Sequence, residues 1–252
     1  MRSIVVIVGV LINLILISCI SVQPTQHPIE VSNTTTSHYS VININSSKVD
    51  PVFNSVVMLN RDVILTLDGD KNVATTLATG FIIRNVKTKK GKYNSIGLSV
   101  KHFCRDRNNK LKVFKQLDRK ETKLYKGKVL YISDDVDLCV FKIYNTNANF
   151  TPLKLAEELP YMGEKLFIIG APLGTFPAKV DGYMIRILND DNEMIETTLP
   201  VTNGNSGSPV YNSHFEVVGV LIGVHKRFPH ISATLHVSAI KKHLQETNYL
   251  RK

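Results

Sequence analysis

From Val52 onward, short apolar or alternating runs recur between clusters of turn residues. The first series is Ser55–Leu59, Val63–Leu67, Thr75–Ile83, Ile96–Val100, Leu111–Phe114, Lys123–Ile132 and Leu138–Ile143. The second is Lys165–Ile169, Tyr183–Leu188, Met194–Leu199, Pro209–Tyr211, Val217–Val224 and Ile231–Val237. Many short strands at regular spacing predict an all-β sandwich or barrels. The polar stretch Asn145–Gly163 parts the two series, so the pattern predicts two barrels of about six strands each. Only the end has a helical period. Ile240 and Leu244 lie one turn apart, Lys241, Lys242 and His243 point outward, and Ser238 can cap, which predicts a helix over 238–247. No internal repeat is visible at the level of sequence.

The N-terminus has a different pattern. A basic start, Met1-Arg2, precedes an apolar run from Ile4 to Ile17 broken by Gly9 and Asn13. That run is shorter than the roughly 20 residues a membrane-spanning helix needs. A basic flank followed by such a run predicts an export signal over 1–18. Leu16-Ile17-Ser18-Cys19 resembles the bacterial lipobox, where cleavage precedes a Cys that carries lipid. The protein is therefore expected to be exported, either lipid-anchored to a membrane through Cys19 or secreted. Residues 19–50 are rich in Ser, Thr, Asn, Val and Ile without a period, the pattern of a flexible tether. Asn33, Asn45 and Asn149 each open a glycosylation sequon, which matters only in a eukaryotic setting.

Composition changes the picture in two ways. With 43% hydrophobic and 21% charged residues among 252, the chain is neither disordered, collagenous nor a coiled coil. Three Cys are too few for a disulfide scaffold. The formal charge of +10 is unusual and lies in one place: residues 84–128 hold 16 Lys and Arg against 3 Asp and Glu. Charge alone suggests nucleic acid or an anionic surface. No aromatic stacking motif or Cys/His zinc spacing accompanies the basic block, so nucleic acid, metal and cofactor are not expected.

The segment with chemistry is Asn203-Gly204-Asn205-Ser206-Gly207-Ser208-Pro209-Val210, between two apolar strands. A nucleophilic Ser must project from a tight turn on which backbone N–H groups converge, and flanking glycines permit that backbone. The N–H groups of Gly204 and Ser206 are placed to form an oxyanion hole. The bland alternative is a Gly/Asn/Ser hairpin turn. A Ser nucleophile needs a base and an orienting acid. Of eight His, His27 and His38 fall in the tether and five others follow the Ser loop. His102 instead ends the run Ile96–Val100. Asp137 opens the apolar stretch Leu138–Ile143, where a partly buried carboxylate requires a partner.

Taken together, four stretches resemble the trypsin-like serine peptidases, in particular the bacterial HtrA and V8-like branch, over about residues 52–247. Thr79-Gly80-Phe81-Ile82-Ile83 is similar to the family's Gly-Ser-Gly-Phe-Ile strand. Leu98-Ser99-Val100-Lys101-His102 is similar to Leu-Thr-x-x-His, and Asp137-Leu138-Cys139-Val140-Phe141 to Asp-Leu-Ala-Val-Leu. Gly204–Val210 with Val217-Val218-Gly219-Val220 is similar to the Ser loop and its following strand. Gly170-Ala171-Pro172-Leu173-Gly174 and Val237-Ser238-Ala239-Ile240 are weaker matches.

The resemblance implies two six-stranded antiparallel chymotrypsin-like barrels, the first over about 51–145 and the second over about 160–238, within a peptidase domain of 51–252. It implies a serine endopeptidase acting on protein or peptide substrates, with His102, Asp137 and Ser206 as triad and Gly204 and Ser206 as oxyanion donors. The substrate pocket falls on Pro200, Val201 and Thr202 and on Leu221, Ile222, Gly223 and Val224. Leu221 stands where glutamyl-specific members carry His, so an apolar P1 residue is expected. The chain ends soon after the last helix, with no PDZ-like domain expected. Cys104 and Cys139 are either a disulfide or two buried thiols. A different class stays open: a catalytically silent peptidase-like module binding peptides or polyanions through the basic first barrel.

Overall fold

The computed structural model describes residues 51–67, 70–105, 110–117, 121–147, 150–188, 193–225 and 227–246. The expected export segment, the tether with Cys19, and the sequon residues Asn33, Asn45 and Asn149 lie outside them. Among the described residues no helix is long and apolar enough to cross a membrane.

The first barrel comprises β1 (Val56–Leu67), β2 (Asp70–Lys87), β3 (Tyr93–Ser99), β4 (Lys110–Gln116), β5 (Thr122–Ile132) and β6 (Cys139–Ile143). The second comprises β7 (Lys165–Gly170), β8 (Ala178–Leu188), β9 (Met194–Thr197), β10 (Pro209–Tyr211), β11 (Val217–Val224) and β12 (Ser232–His236). The pairings between these strands are antiparallel, and each sheet closes on itself, β1 against β4 and β10 against β7. The two barrels share one strand order, β1-β2-β3-β6-β5-β4 and β7-β8-β9-β12-β11-β10. The repeat that is invisible in the sequence is thus present in the topology.

Two of the expected runs merge. Val56–Leu59 of the first run and the whole of Val63–Leu67 belong to one strand, β1, which pairs with β2 continuously from Val56↔Phe81 to Leu67↔Asp70. The polar Asn60-Arg61-Asp62 between them is no turn: Arg61 is buried with its guanidinium over the Phe103 ring, and Asp62 bonds Lys112.

Alternation sets the barrel walls. In β4, Leu111 and Val113 face inward and Lys110 and Lys112 outward. In β5, Tyr125, Gly127 and Val129 face inward and Lys126 and Lys128 outward. The central strands β6 and β11 are apolar almost throughout, because both of their faces are covered. One apolar cluster fills the first barrel and continues through Ile169, Tyr211, Val217 and Val220 to the last helix. A smaller one, with Leu166, Ile168, Met184, Ile195 and Leu221, fills the second barrel. Burying such side chains contributes about 1.5–3 kcal/mol each.

The last helix, α2, spans Val237–Glu246, with Ile240 and Leu244 fully packed against the first barrel's cluster. Its cap differs from expectation. His236 Nδ1, not Ser238, accepts the hydrogen bond, from Ala239 N at 3.2 Å. Ser238 already lies within the first turn, so its hydroxyl is too late in the chain to serve.

Candidate active site

His102 lies in a one-turn helix, α1 (Lys101–Cys104), that follows β3 directly. Asp137 lies in the turn before β6 rather than at the strand's first position. The Ser133 hydroxyl shapes that turn by accepting from Asp135 N and Val136 N at 3.3 and 3.2 Å. β3 and β6 are neighbours, with Ser99 opposite Cys139, so the two segments leave the barrel side by side.

The two side chains meet. His102 Nδ1 is 2.6 Å from Asp137 Oδ2, and His102 N donates to Asp137 Oδ1 at 2.8 Å. Both carboxylate oxygens are engaged, which holds the imidazole with its Nδ1 proton toward Asp137 and its Nε2 outward. Burial pushes the Asp137 carboxyl up. The His102 ring bond, the charge of that ring and the N–H groups of His102 and Lys101 outweigh it and hold the carboxyl below its ordinary value. The His102 side chain is 49% exposed and that of Asp137 27%, so the pair lies at the surface rather than in the core.

A disulfide joins Cys104 to Cys139, with Cα atoms 6.5 Å apart. Each Cys lies two residues beyond His102 and Asp137 respectively, and both are fully buried. Of the two alternatives open for this pair, the disulfide is the one observed.

Ser206 lies on the turn between β9 and β10, half-buried between buried Asn205 and Gly207. Two left-handed glycines give the turn its shape, Gly204 at φ 95° and Gly207 at φ 87°. A Cβ on Gly204 would collide with the Ala171 carbonyl oxygen, and one on Gly207 with the Thr79 carbonyl oxygen and Ser99 Oγ. Three N–H groups of the turn are bound: Asn205 N to Thr202 O at 3.1 Å, Gly207 N to Leu221 O at 2.8 Å and Ser208 N to Asn205 O at 3.0 Å. The N–H groups of Gly204 and Ser206 make no hydrogen bond among the described residues.

Thr79, on β2, ties this turn to the first barrel. Its N donates to Ser206 O at 2.8 Å, and its hydroxyl donates to Gly204 O at 2.7 Å and accepts from Ala171 N at 3.0 Å. Ser99 Oγ, three residues before His102, donates to Thr79 O at 2.7 Å. The Ser loop is thereby set against the strand that delivers His102. No hydrogen bond closes between Ser206 Oγ and His102 Nε2 in this structure. Such contacts are commonly looser before substrate binds.

The expected pocket residues divide. Pro200 is exposed and Val201 half-buried, and open space lies in front of Gly223. Leu221 is fully buried in the core of the second barrel, its backbone bonded to Gly207 and Ser208. Sequence reasoning missed Thr79 and Ser99 as site residues. Both lay inside matched stretches, but only the cross-barrel bonds of Thr79 and the bond from Ser99 to Thr79 reveal the role.

The trypsin-like peptidase domain profile matches residues 78–220 of the chain. The curated relative Protease Do-like 5, chloroplastic, of Arabidopsis thaliana is 31% identical over 114 residues, covering 41% of this chain and 35% of that protein. The chain thus matches only about a third of that relative's length. Solved structures share the fold at low identity. The serine endoprotease of Yersinia pestis matches with TM-score 0.60 and 19% identity over 78% of this chain and 63% of its own. The Rv3671c protease of M. tuberculosis in its active form matches with TM-score 0.58 and 17% identity over 89% and 92%. Two closed barrels of one strand order accord with these matches, and the chain belongs to the trypsin-like peptidase domain family.

Proposed function

We propose that this chain is a serine endopeptidase. One observation carries the reading: on the Ser206 turn, the N–H groups of Gly204 and Ser206 are left without a partner while their neighbours are bound. A plain hairpin turn has no reason to leave two alternate donors unbound beside a half-buried Ser. Ser206 Oγ attacks the carbonyl carbon of a peptide bond. Neutral His102 Nε2 takes the hydroxyl proton and then delivers it to the leaving amine. Asp137 holds the ring's tautomer and stabilises the imidazolium. The Gly204 and Ser206 N–H groups receive the developing oxyanion, each worth about 2.7–4 kcal/mol in the transition state. The resulting acyl-enzyme is hydrolysed by water through the same His.

The substrate side chain before the scissile bond meets Pro200, Val201 and the open space at Gly223, with Leu221 sealing the floor. These surfaces are apolar, so an apolar P1 residue fits best. The N-terminal run supports an exported protein, cleaved after residue 18 and either anchored through lipid on Cys19 or secreted.

A fluorophosphonate probe tests the chemistry. It labels the wild-type chain and not Ser206→Ala. Equal labelling of the two proteins overturns the assignment of Ser206.

A further inference from the structure

We propose that the outer face of β4, β5 and β6 is a docking surface for an anionic lipid bilayer. The register sets lysines opposite one another across three strands: Lys110 faces Lys128, Lys128 faces Lys142, and Lys112 faces Lys126. Residues paired this way lie on one face of the sheet, with close side chains, and like charges so placed repel. Asp62, bonded to Lys112 at 2.8 Å, relieves one edge of the array. Lys126 and Lys128 form no ion pair among the described residues. Lys142 Nζ lies over the Tyr144 ring at 4.9 Å. A negatively charged plane relieves this repulsion at Lys126 and Lys128.

The face is also shaped for headgroups. Lys110, Lys112, Lys126 and Lys128 line a depression of about 790 Å³ together with Asp62, Tyr144 and the buried Arg61. The turn after β2 extends the charge with exposed Lys87, Lys89, Lys90 and Lys92. It joins the same end of the barrel through Thr146 N to Tyr93 O and Tyr144 N to Lys126 O.

Two observations favour a bilayer over a nucleic acid. Leu124 lies on the same face as Lys126 and Lys128, two and four residues before them, and is 57% exposed; Leu117, at the same tip of the β4–β5 hairpin, is 40% exposed. Apolar side chains flanking cationic ones suit the boundary between headgroups and acyl chains. The one aromatic ring of the depression, Tyr144, is already covered by Lys142 and offers no base-stacking platform. The chain also carries the apolar run Ile4–Ile17 and Cys19 ahead of the barrels. One membrane signal alone holds weakly, and a polybasic face is the kind of second signal that makes docking stable.

Co-sedimentation of the full chain with vesicles tests this. Phosphatidylcholine vesicles report whatever the N-terminal segment contributes, and vesicles mixed with phosphatidylglycerol add the charge. The expected result is stronger binding to the mixed vesicles, lost on adding salt. Lys126→Gln/Lys128→Gln lowers binding to the mixed vesicles about tenfold or more, leaves the phosphatidylcholine value unchanged, and keeps lipid-free peptide hydrolysis intact. Lys126→Arg/Lys128→Arg retains binding, because charge and not shape is read. Equal binding to both vesicle types, wild-type binding by the Gln variant, or loss in the Arg variant overturns the proposal. Release from vesicles by equimolar duplex DNA at the same salt also overturns it and reassigns the face to nucleic acid. The vesicle result does not depend on Ser206 chemistry, so failure of the peptidase reading leaves it standing.

Discussion

His102 and Asp137 are bonded twice, through Nδ1 to Oδ2 at 2.6 Å and through the backbone N to Oδ1 at 2.8 Å. The second bond fixes the carboxylate relative to the chain, so the first fixes the ring. The arrangement demands a carboxylate and not merely an acceptor, since an amide in its place presents an NH₂ to Nδ1 and favours the other tautomer. Asp137→Asn is therefore expected to fold and to lower kcat by about 10⁴-fold, measured on any cleaved peptide. A loss under about tenfold would remove Asp137 from the mechanism.

The same pair sets an acid limit on stability. The Asp137 carboxyl is held below its ordinary value in the folded chain. Its contribution is therefore fully present above the unfolded value of about 3.9 and is lost as pH falls through the lower folded value. Urea unfolding midpoints at successive pH values below about 4 should fall more steeply for the wild type than for Asp137→Asn.

Cys104 and Cys139 close a loop of the same 35-residue span, just beyond the pair. Replacing both with Ala is expected to cost about 3–4 kcal/mol of stability by the loop-entropy relation. Because the bond lies between the segments carrying His102 and Asp137, kcat should fall as well. Thermal unfolding and kinetics on the double variant check both, and unchanged kcat would mean β3 and β6 alone hold the pair.

Thr79 bonds Gly204 O, Ser206 O and Ala171 N from the opposite barrel. Thr79→Val keeps the shape and removes the hydroxyl, leaving a buried carbonyl and a buried N–H unpaired. It should lower kcat up to about 10²-fold with little change in KM, since a displacement of Ser206 and the oxyanion donors of about 1 Å suffices. Thr79→Ser should restore most of the rate. Equal damage by both variants would show that methyl packing, not the hydroxyl, matters.

His236 caps α2 as a neutral acceptor. Burial pushes its imidazole below the ordinary value, against the pull of the Glu193 carboxylate. A His so depressed stabilises the fold fully above the unfolded value of about 6.5 and less as pH falls through the folded one. Stability should decline by about 1 kcal/mol on acidification below that value, the worth of a helix cap. His236→Asn, a cap that does not titrate, should flatten the decline. A parallel decline in the variant would place the acid sensitivity elsewhere.

Local pattern determined most of the architecture. Period-two alternation in β4 and β5, continuous apolar runs in β6 and β11, and the Gly204/Gly207 spacing around Ser206 are short-range properties, readable from neighbours in the chain. His102, Asp137 and Ser206 stand out in the sequence only jointly, through the four stretches that resemble the trypsin-like peptidases, and the pairing of Cys104 with Cys139 stays open there. What required the tertiary structure is whatever depends on register. β1 swallows Asn60-Arg61-Asp62 because β2 supplies an unbroken partner strand. His236 displaces Ser238 as cap because the helix already begins at Val237. Thr79 reaches Gly204 across 125 residues, and the lysines of β4, β5 and β6 become one face only when the strands pair. A residue's type is local, but which residues it faces is set by how the barrels close.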